Sequence, residues 1–422
     1  MLRFYNGRIV PMTDGCAVTS DEVWVDGDKI AYVGPARADM PAFDRQIDLD
    51  GDLLLPGFKN AHAHAGMTFV RSLADDMPLQ EWLFERIFPL EARLTPEDVY
   101  AFTKLAILEY LTSGITAGFD MYFFREAIAQ AGVDTGFRTV LCGGGGKAEM
   151  LEAEYGRFNS FHPLISYQLG THSEYTSSIE ELRDLGTLAR KLKAPVFAHN
   201  AETEKEVREC VERHGVTPTV LFEQLGHFDY GGGGFHCVHF TPEDTEIFRR
   251  RGLWVVTNPG SNAKLASGVA PIEDYRTHGI KVAIGTDGPS SNNALDFFRE
   301  MYLTSVLQKL KTGDASACPA GAVLQMATVG GARCMGLDDC DTIAPGKQAD
   351  LVVIDLKRPS MQPVHAPVEN LVYSGAKDVV RMTMIAGRVL YENGEFHVGE
   401  DAERIRRDAA ARTKALIEKE SN

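Results

Sequence analysis

His62 and His64 stand two residues apart at the end of an apolar run that begins at Leu53. On a β-strand, side chains at i and i+2 point to the same face, so the pair presents two imidazoles together. A zinc ion takes imidazole nitrogen at about 2.0–2.1 Å and carboxylate oxygen at a similar distance. Alone the pair carries little weight, because 12 histidines in 422 residues produce about 0.3 such pairs by chance. Its company strengthens it. His199 closes the apolar run from Pro195, with Glu202 three residues on, His236 sits in the run Gly234-Phe235-His236, and Asp287 ends Val282 to Thr286. His62, His64, His199 and Asp287 would hold one divalent metal and leave a place for water. Water on such an ion ionises near pH 7 (its pKa falls from about 15.7 to about 7). A nearby carboxylate can move its proton and a nearby imidazole can steady the developing charge, roles that fit Glu202 and His236. The set implies hydrolytic attack on a polarised carbon. Each residue also has a plainer reading: a core or backbone-bonded histidine, a first-turn helix acid for Glu202, a helix cap for Asp287. His239, three residues beyond His236, points the other way on a strand and reads as structural.

These residues need a scaffold that brings distant segments together. Eight short apolar runs fall between about residues 53 and 288: LLLPGFKNAHAH, GITAGFDMYF, GFRTVLC, PLISYQLGTH, APVFAHNAE, GFHCVHF, GLWVVTNP and KVAIGTDG. Amphipathic stretches separate most of them, and Thr95-Pro96 and Thr241-Pro242 read as N-caps followed by proline at the first helical position. Eight strand–helix units predict an α/β fold, a closed (β/α)8 TIM-like barrel. The active site of such a barrel lies at the C-terminal strand ends, where the residues above fall. Residues 1–55 and 343–400 read as strands broken by NG, DG and AG turns, predicting a small β-sandwich built from both termini. The barrel then spans 56–342 and a charged, alanine-rich helix 401–422.

The 43 Lys+Arg against 59 Asp+Glu give a net charge of −16, which repels nucleic acid. Seven cysteines without a CxxC pair point to a reducing cytoplasm. No N-terminal signal pattern and no apolar run of membrane-spanning length is present. A small-molecule substrate is expected, and a homo-oligomer is compatible with the sequence. GGGGKA at 143–148 lacks the Ser/Thr and the spacing of a phosphate loop. The Gly143–Gly146 run falls on the catalytic face, as a lid or a plain loop. A second run, Gly231–Gly234, reads as a connector before the sixth strand.

LLLPGFKNAHAHAGMT, HNAETEKEV, HCVH, NPGSNAKLASGVAP and GTDGPSSNNALDFFREM together resemble the amidohydrolase superfamily over nearly the whole chain. More narrowly they are similar to the methylthioadenosine/S-adenosylhomocysteine deaminase group, with its triazine chlorohydrolase and guanine deaminase relatives. The resemblance implies ligation of one metal, Zn2+ or alternatively Fe2+, by His62, His64, His199 and Asp287. It implies Glu202 as proton shuttle and His236 orienting the nucleophile. Glu91 in PLEARL is implied as a ribose contact and His172 as a purine contact, with Ser291 and Trp82 as further substrate-contact candidates. Members that take S-adenosylhomocysteine place arginines after strand three. Here that stretch reads Val140 to Lys147 without arginine, and only Lys147 or Arg157 lie nearby, which leaves the substrate open among adenosine, 5′-methylthioadenosine and S-adenosylhomocysteine types. Two-metal members carry a lysine on strand four; PLISYQLGTH has none. The other zinc deaminase fold uses PCxxC, absent here. The expected activity is hydrolytic deamination of an adenine nucleoside. The rivals are deamination of a free purine or pterin, a triazine-type hydrolase, and a catalytically silent barrel.

Overall fold

The structure, a computed structural model, describes residues 1–73 and 75–418. Its centre is a sheet of eight parallel strands in sequential order. They are β1 (Phe58–Ala63), β2 (Ile115–Asp120), β3 (Arg138–Cys142), β4 (Ile165–Gly170), β5 (Val196–Asn200), β6 (Gly232–His236), β7 (Trp254–Thr257) and β8 (Lys281–Ile284). All eight coincide with the apolar runs. The ring closes just beyond β8, where Ala63 and Asp287 form a parallel bridge. Helices wrap the outside. Thr95 and Thr241 each cap a helix with proline at the first turn, and each completes a capping box, with Asp98 and Asp244 respectively. Such a box satisfies two backbone donors that a helix start leaves open.

Inside the barrel, Phe119, Phe197 and Phe235 pack on one another at ring separations of 5.0–5.8 Å. They form an apolar floor beneath the catalytic face, and Phe235 stacks on His62 at 3.8 Å. The glycine run before strand six is not a connector. Gly232, Gly233 and Gly234 lie inside β6. A Cβ at Gly232 would stand 2.0 Å from the Val196 carbonyl oxygen, and one at Gly233 2.2 Å from that of Trp254. Only glycine admits so close an approach of neighbouring backbones.

The expected first strand divides in two at Gly57. Leu53–Pro56 joins a six-stranded sheet made from both ends of the chain, pairing antiparallel with Leu351–Ile354, while β1 enters the barrel. A four-stranded sheet from the N-terminal segment faces it. Phe4, Val23, Val25 and Ile47 of one sheet pack with Leu54, Leu351, Val353 and Met382 of the other. The sandwich is pinned to the barrel by a buried ion pair: Arg138 at the start of β3 donates Nε and Nη2 to the two carboxylate oxygens of Asp350, at 2.7 and 2.9 Å. Close by, fully buried Lys59 donates to the Gly57 carbonyl at 2.9 Å and meets Thr116 Oγ1 at 2.6 Å. The tail helix runs Ala402–Glu418; residues 419–422 of the expected helix lie outside the described residues. No helix among the described residues is long and apolar enough to cross a membrane.

Candidate active site

Barrel closure brings the chemistry together. The Asp287 N–H donates to the His62 carbonyl at 3.0 Å. One ligand atom from each of His62, His199, His236 and Asp287 lies within 4.8 Å of the others. His64 stands beside this group, its Nε2 3.2 Å from Asp287 Oδ1, against 3.4 Å for His62 Nε2. The four that cluster most tightly therefore include His236, where the sequence pointed to His64. His236 (φ 71°), Ala201 (φ 52°) and Asp287 (φ 61°) adopt the left-handed conformation. Non-glycine residues pay for that geometry in backbone strain, and here it turns strand-end side chains into the barrel mouth.

Carbonyl acceptors set the imidazole tautomers. His199 Nδ1 donates to the His172 carbonyl at 2.7 Å, and His64 Nδ1 to that of Met121 at 2.5 Å. His236 Nδ1 meets Asn262 Oδ1 at 2.7 Å. In each case Nε2 is left facing the centre, the arrangement a metal ligand requires. His62 is fully buried, yet neither of its ring nitrogens has a hydrogen-bond partner. Burial, more than any neighbour, pushes its pKa down to about 3, and burial also drives His199 well below its ordinary value. Burial alone would raise Asp287, but the adjacent imidazoles of His62 and His64 hold it well below the carboxylate range. Neutral His62 and His199 thus present lone pairs to an ionised carboxylate, whereas His64, which burial alone would lower, is raised to about 9 by Asp287 and the Met121 carbonyl. A cation among them resolves both the orphaned nitrogens of His62 and the lone-pair opposition. The donor set fits a single divalent metal.

Residues behind the ligands complete the arrangement. Asp287 Oδ2 accepts from Ser261 at 2.6 Å and from Ser291 at 2.8 Å. Glu202 Oε1 accepts from Ser267 Oγ at 3.1 Å, and its Oε2 lies 3.9 Å from His236 Nε2. Burial is the largest influence on Glu202 and raises its pKa; the charge of Asp287 adds to this, while His236 and Ser267 oppose. Glu206 accepts the Ala201 and Glu202 N–H groups at 2.9 and 2.7 Å, which fixes the turn that aims Glu202. Ser261, Asn262, Ser267 and Glu206 had no assigned role at the sequence level. Three of them come from the NPGSNAKLASG segment after β7, whose polar residues were its only signal.

A cavity of about 270 Å³ opens over this cluster, lined by His64, His199, Glu202, His236 and Asp287, and also by Glu91, Trp82, His172 and Ser291. All four substrate-contact candidates therefore border it. Trp82, 4% exposed, forms part of the wall. Glu91 accepts from Tyr122 OH at 2.6 Å; burial pushes its pKa up to about 7, with Tyr122 opposing. His172 is neutral, lowered to about 4 chiefly by burial, and its Nδ1 lies 3.1 Å from both Ser173 Oγ and Thr176 Oγ1. Ser291, expected on substrate, spends its hydroxyl on Asp287. His239 lies apart, on the Ser267 carbonyl at 2.6 Å. In the Gly143–Gly146 run, Gly143 and Gly145 donate to the Gln168 and Gly170 carbonyls at 3.0 and 3.3 Å, which ties the segment to β4. Lys147 and Arg157 do not line the cavity. Arg125, the first residue of the helix Arg125–Thr135 after β2, does, and it is the only lysine or arginine among the described residues that does so.

A (β/α)8 barrel with a buried histidine–aspartate cluster at its C-terminal mouth defines a metal-dependent barrel hydrolase. The chain belongs to the Amidohydrolase family, which it matches over residues 53–390. It is 40% identical over 410 residues to a 5-methylthioadenosine/S-adenosylhomocysteine deaminase of Moorella thermoacetica, covering 94% of this chain and 95% of that one. It is 38% identical over 411 residues to the protein of the same name from Thermoanaerobacter pseudethanolicus, covering 94% of both. Among solved structures it is similar to an adenosine deaminase from Xanthomonas campestris with bound zinc, at 32% identity and a TM-score of 0.93, covering 98% of each chain.

Proposed function

We propose that this chain is a hydrolytic deaminase of adenine nucleosides of the adenosine or 5′-thioether type, releasing ammonia and the inosine-type product. The observation that carries this reading is the placement of Glu202. Its carboxylate is buried, its pKa is raised, and it lies in one cavity with the metal-binding cluster, with Glu91 and with neutral His172.

His62, His64, His199 and Asp287 would hold the metal, zinc by preference of three imidazoles and one carboxylate. When bound, the ion supplies a water acidic enough to attack at neutral pH. Glu202 Oε2 takes a proton from the attacking water and returns it to the ring nitrogen beside the amine-bearing carbon. Its raised pKa suits both halves of that transfer. His236, held by Asn262 in the tautomer that frees Nε2, orients the nucleophile from the other side. Glu91 accepts from the ribose hydroxyls and His172 hydrogen-bonds the purine edge. Trp82 and its apolar neighbours exclude water from the ring.

The test is ammonia release, with the accompanying ultraviolet change, from adenosine, 5′-methylthioadenosine, S-adenosylhomocysteine, free adenine and a pterin. Turnover of the nucleosides is expected. Glu202→Gln should keep its metal and lose turnover by at least about 100-fold, since positioned acid–base groups contribute 10²–10⁴-fold. Wild-type-like deamination by that variant would remove the mechanism.

A further inference from the structure

We infer that Glu300 is a positioning residue for the metal site: its buried carboxylate clamps together the two chain segments that hold Asp287 and His236 in place. This role rests on the single-metal reading of the site given above, and it does not depend on which nucleoside is turned over.

Glu300 stands in the first turn of the helix Phe297–Thr312 and is fully buried. Its Oε2 accepts the Gly260 N–H at 2.9 Å, and its Oε1 accepts from Asn292 Nδ2 at 2.9 Å. Gly260 lies in the first turn of the short helix Pro259–Lys264, after β7, where a backbone N–H has no partner within the helix. A Cβ there would stand 2.4 Å from Glu300 Oε1, so only glycine admits the carboxylate so closely. The next two residues are Ser261, which donates to Asp287 Oδ2, and Asn262, which meets His236 Nδ1. Asn292 belongs to the other segment, beyond β8. Its Nδ2 also donates to the Thr286 carbonyl at 2.8 Å, which closes the loop from 286 to 292 that carries Asp287 and Ser291.

Two short routes thus join Glu300 to the metal cluster. One passes through Gly260 to Ser261 and Asn262, the other through Asn292 to the loop of Asp287. Glu300 does not line the cavity, so it acts through those residues and not on substrate. The donors explain why the residue is an acid. A backbone N–H and an amide N–H approach from two segments, and a carboxylate offers an acceptor oxygen to each. Glutamine would keep one acceptor and turn an N–H toward the other donor; alanine would lose both. Burial pushes the Glu300 pKa up to about 7, opposed by the Gly260 and Asn292 hydrogen bonds and the charge of Arg299. Both donors are uncharged, so burial of this carboxylate is unfavourable in itself, and a side chain serving only to fill space would be apolar.

The experiment measures the zinc dissociation constant of the full-length protein by competition with a chromophoric chelator. Wild type, Glu300→Gln, Glu300→Ala and Asn292→Ala are compared, with the Tm of each metal-free protein alongside. In Glu300→Ala the Kd is expected to rise about 10- to 100-fold, the range for partners that orient metal ligands. In Glu300→Gln and Asn292→Ala, which each lose one hydrogen bond of the clamp, a rise of about 3- to 10-fold is expected. At saturating zinc, kcat for 5′-methylthioadenosine should fall in the same order, Ala below Gln, with KM little changed. A purely structural role lowers Tm but leaves Kd at the wild-type value in every variant, and that result overturns the inference. Should Glu300→Ala not fold, Glu300→Gln and Asn292→Ala decide alone, and wild-type zinc affinity in both overturns it. A wild type that binds zinc yet releases no ammonia removes the deaminase reading and leaves the clamp to be judged by Kd. A wild type that binds no zinc removes both.

Discussion

The Asp287 N–H donates to the His62 carbonyl across the seam between the last and first barrel strands. The residues that close the ring are therefore themselves members of the cation site. Ring closure and metal binding draw on the same geometry, so each favours the other.

That linkage has a thermal consequence. Stripping the metal with a chelator should lower Tm by about 5 °C or more, because a ligand held a thousandfold above its Kd adds about 4 kcal/mol of stability. Readdition of zinc should restore it. Differential scanning calorimetry on stripped and reloaded protein measures both, and identical melting curves would contradict the shared geometry.

His64 and His236 divide the ligand assignment between them. Both present Nε2 to the centre, but His236 lies within reach of Glu202 while His64 contacts Asp287. His64→Asn should lose most of its bound metal. His236→Asn should keep about one metal per chain and lose turnover by about 100-fold or more. Elemental analysis beside kcat distinguishes them, and the reverse pattern would exchange their roles.

Glu91 should give nucleoside binding a pH dependence of definite sign. Its pKa is raised to about 7 by burial, so it is protonated below that pH and no longer a full acceptor for ribose hydroxyls. KM for nucleosides should rise about tenfold between pH 8 and pH 6 if only the ionised form binds well. Glu91→Gln should have a higher KM that does not follow this titration. For folding, a raised carboxyl pKa means that this group's contribution to stability declines as pH climbs from 4.5 through about 7.

Asp350 is the anionic half of the pair joining sandwich to barrel. Asp350→Ala leaves the Arg138 guanidinium buried without its partner and should cost about 3–5 kcal/mol, read by denaturant unfolding. The Asp350 pKa is lowered: burial alone would raise it, but Arg138 prevails. The stability it contributes is therefore present above its ordinary 3.8 and is lost as pH falls through the depressed folded value.

Much of this was readable in the chain itself. His62, His64, His199, Glu202, His236 and Asp287 each terminate or follow an apolar run, and a parallel barrel gathers the C-terminal ends of all its strands. Gly232–Gly234 looked like a linker because glycine is the usual mark of a turn; here the same residue allows three backbones to lie close, a three-dimensional crowding that one-dimensional pattern does not contain. Ser261 and Asn262, on the short helix Pro259–Lys264, and Ser267 just beyond it are ordinary polar residues until that segment folds against Asp287, His236 and Glu202. Ser291 bordered the cavity as anticipated, but its hydroxyl is turned toward Asp287.

The pairing of Leu53–Pro56 with Leu351–Ile354 imposes an order on biosynthesis. About 300 residues separate the two strands, so at about 5–20 residues per second the ribosome needs roughly 15–60 s to deliver the second after the first. Throughout that interval a hydrophobic strand edge emerges without its partner, an invitation to intermolecular pairing. The nascent polypeptide should therefore depend on chaperone shielding until its final segment arrives.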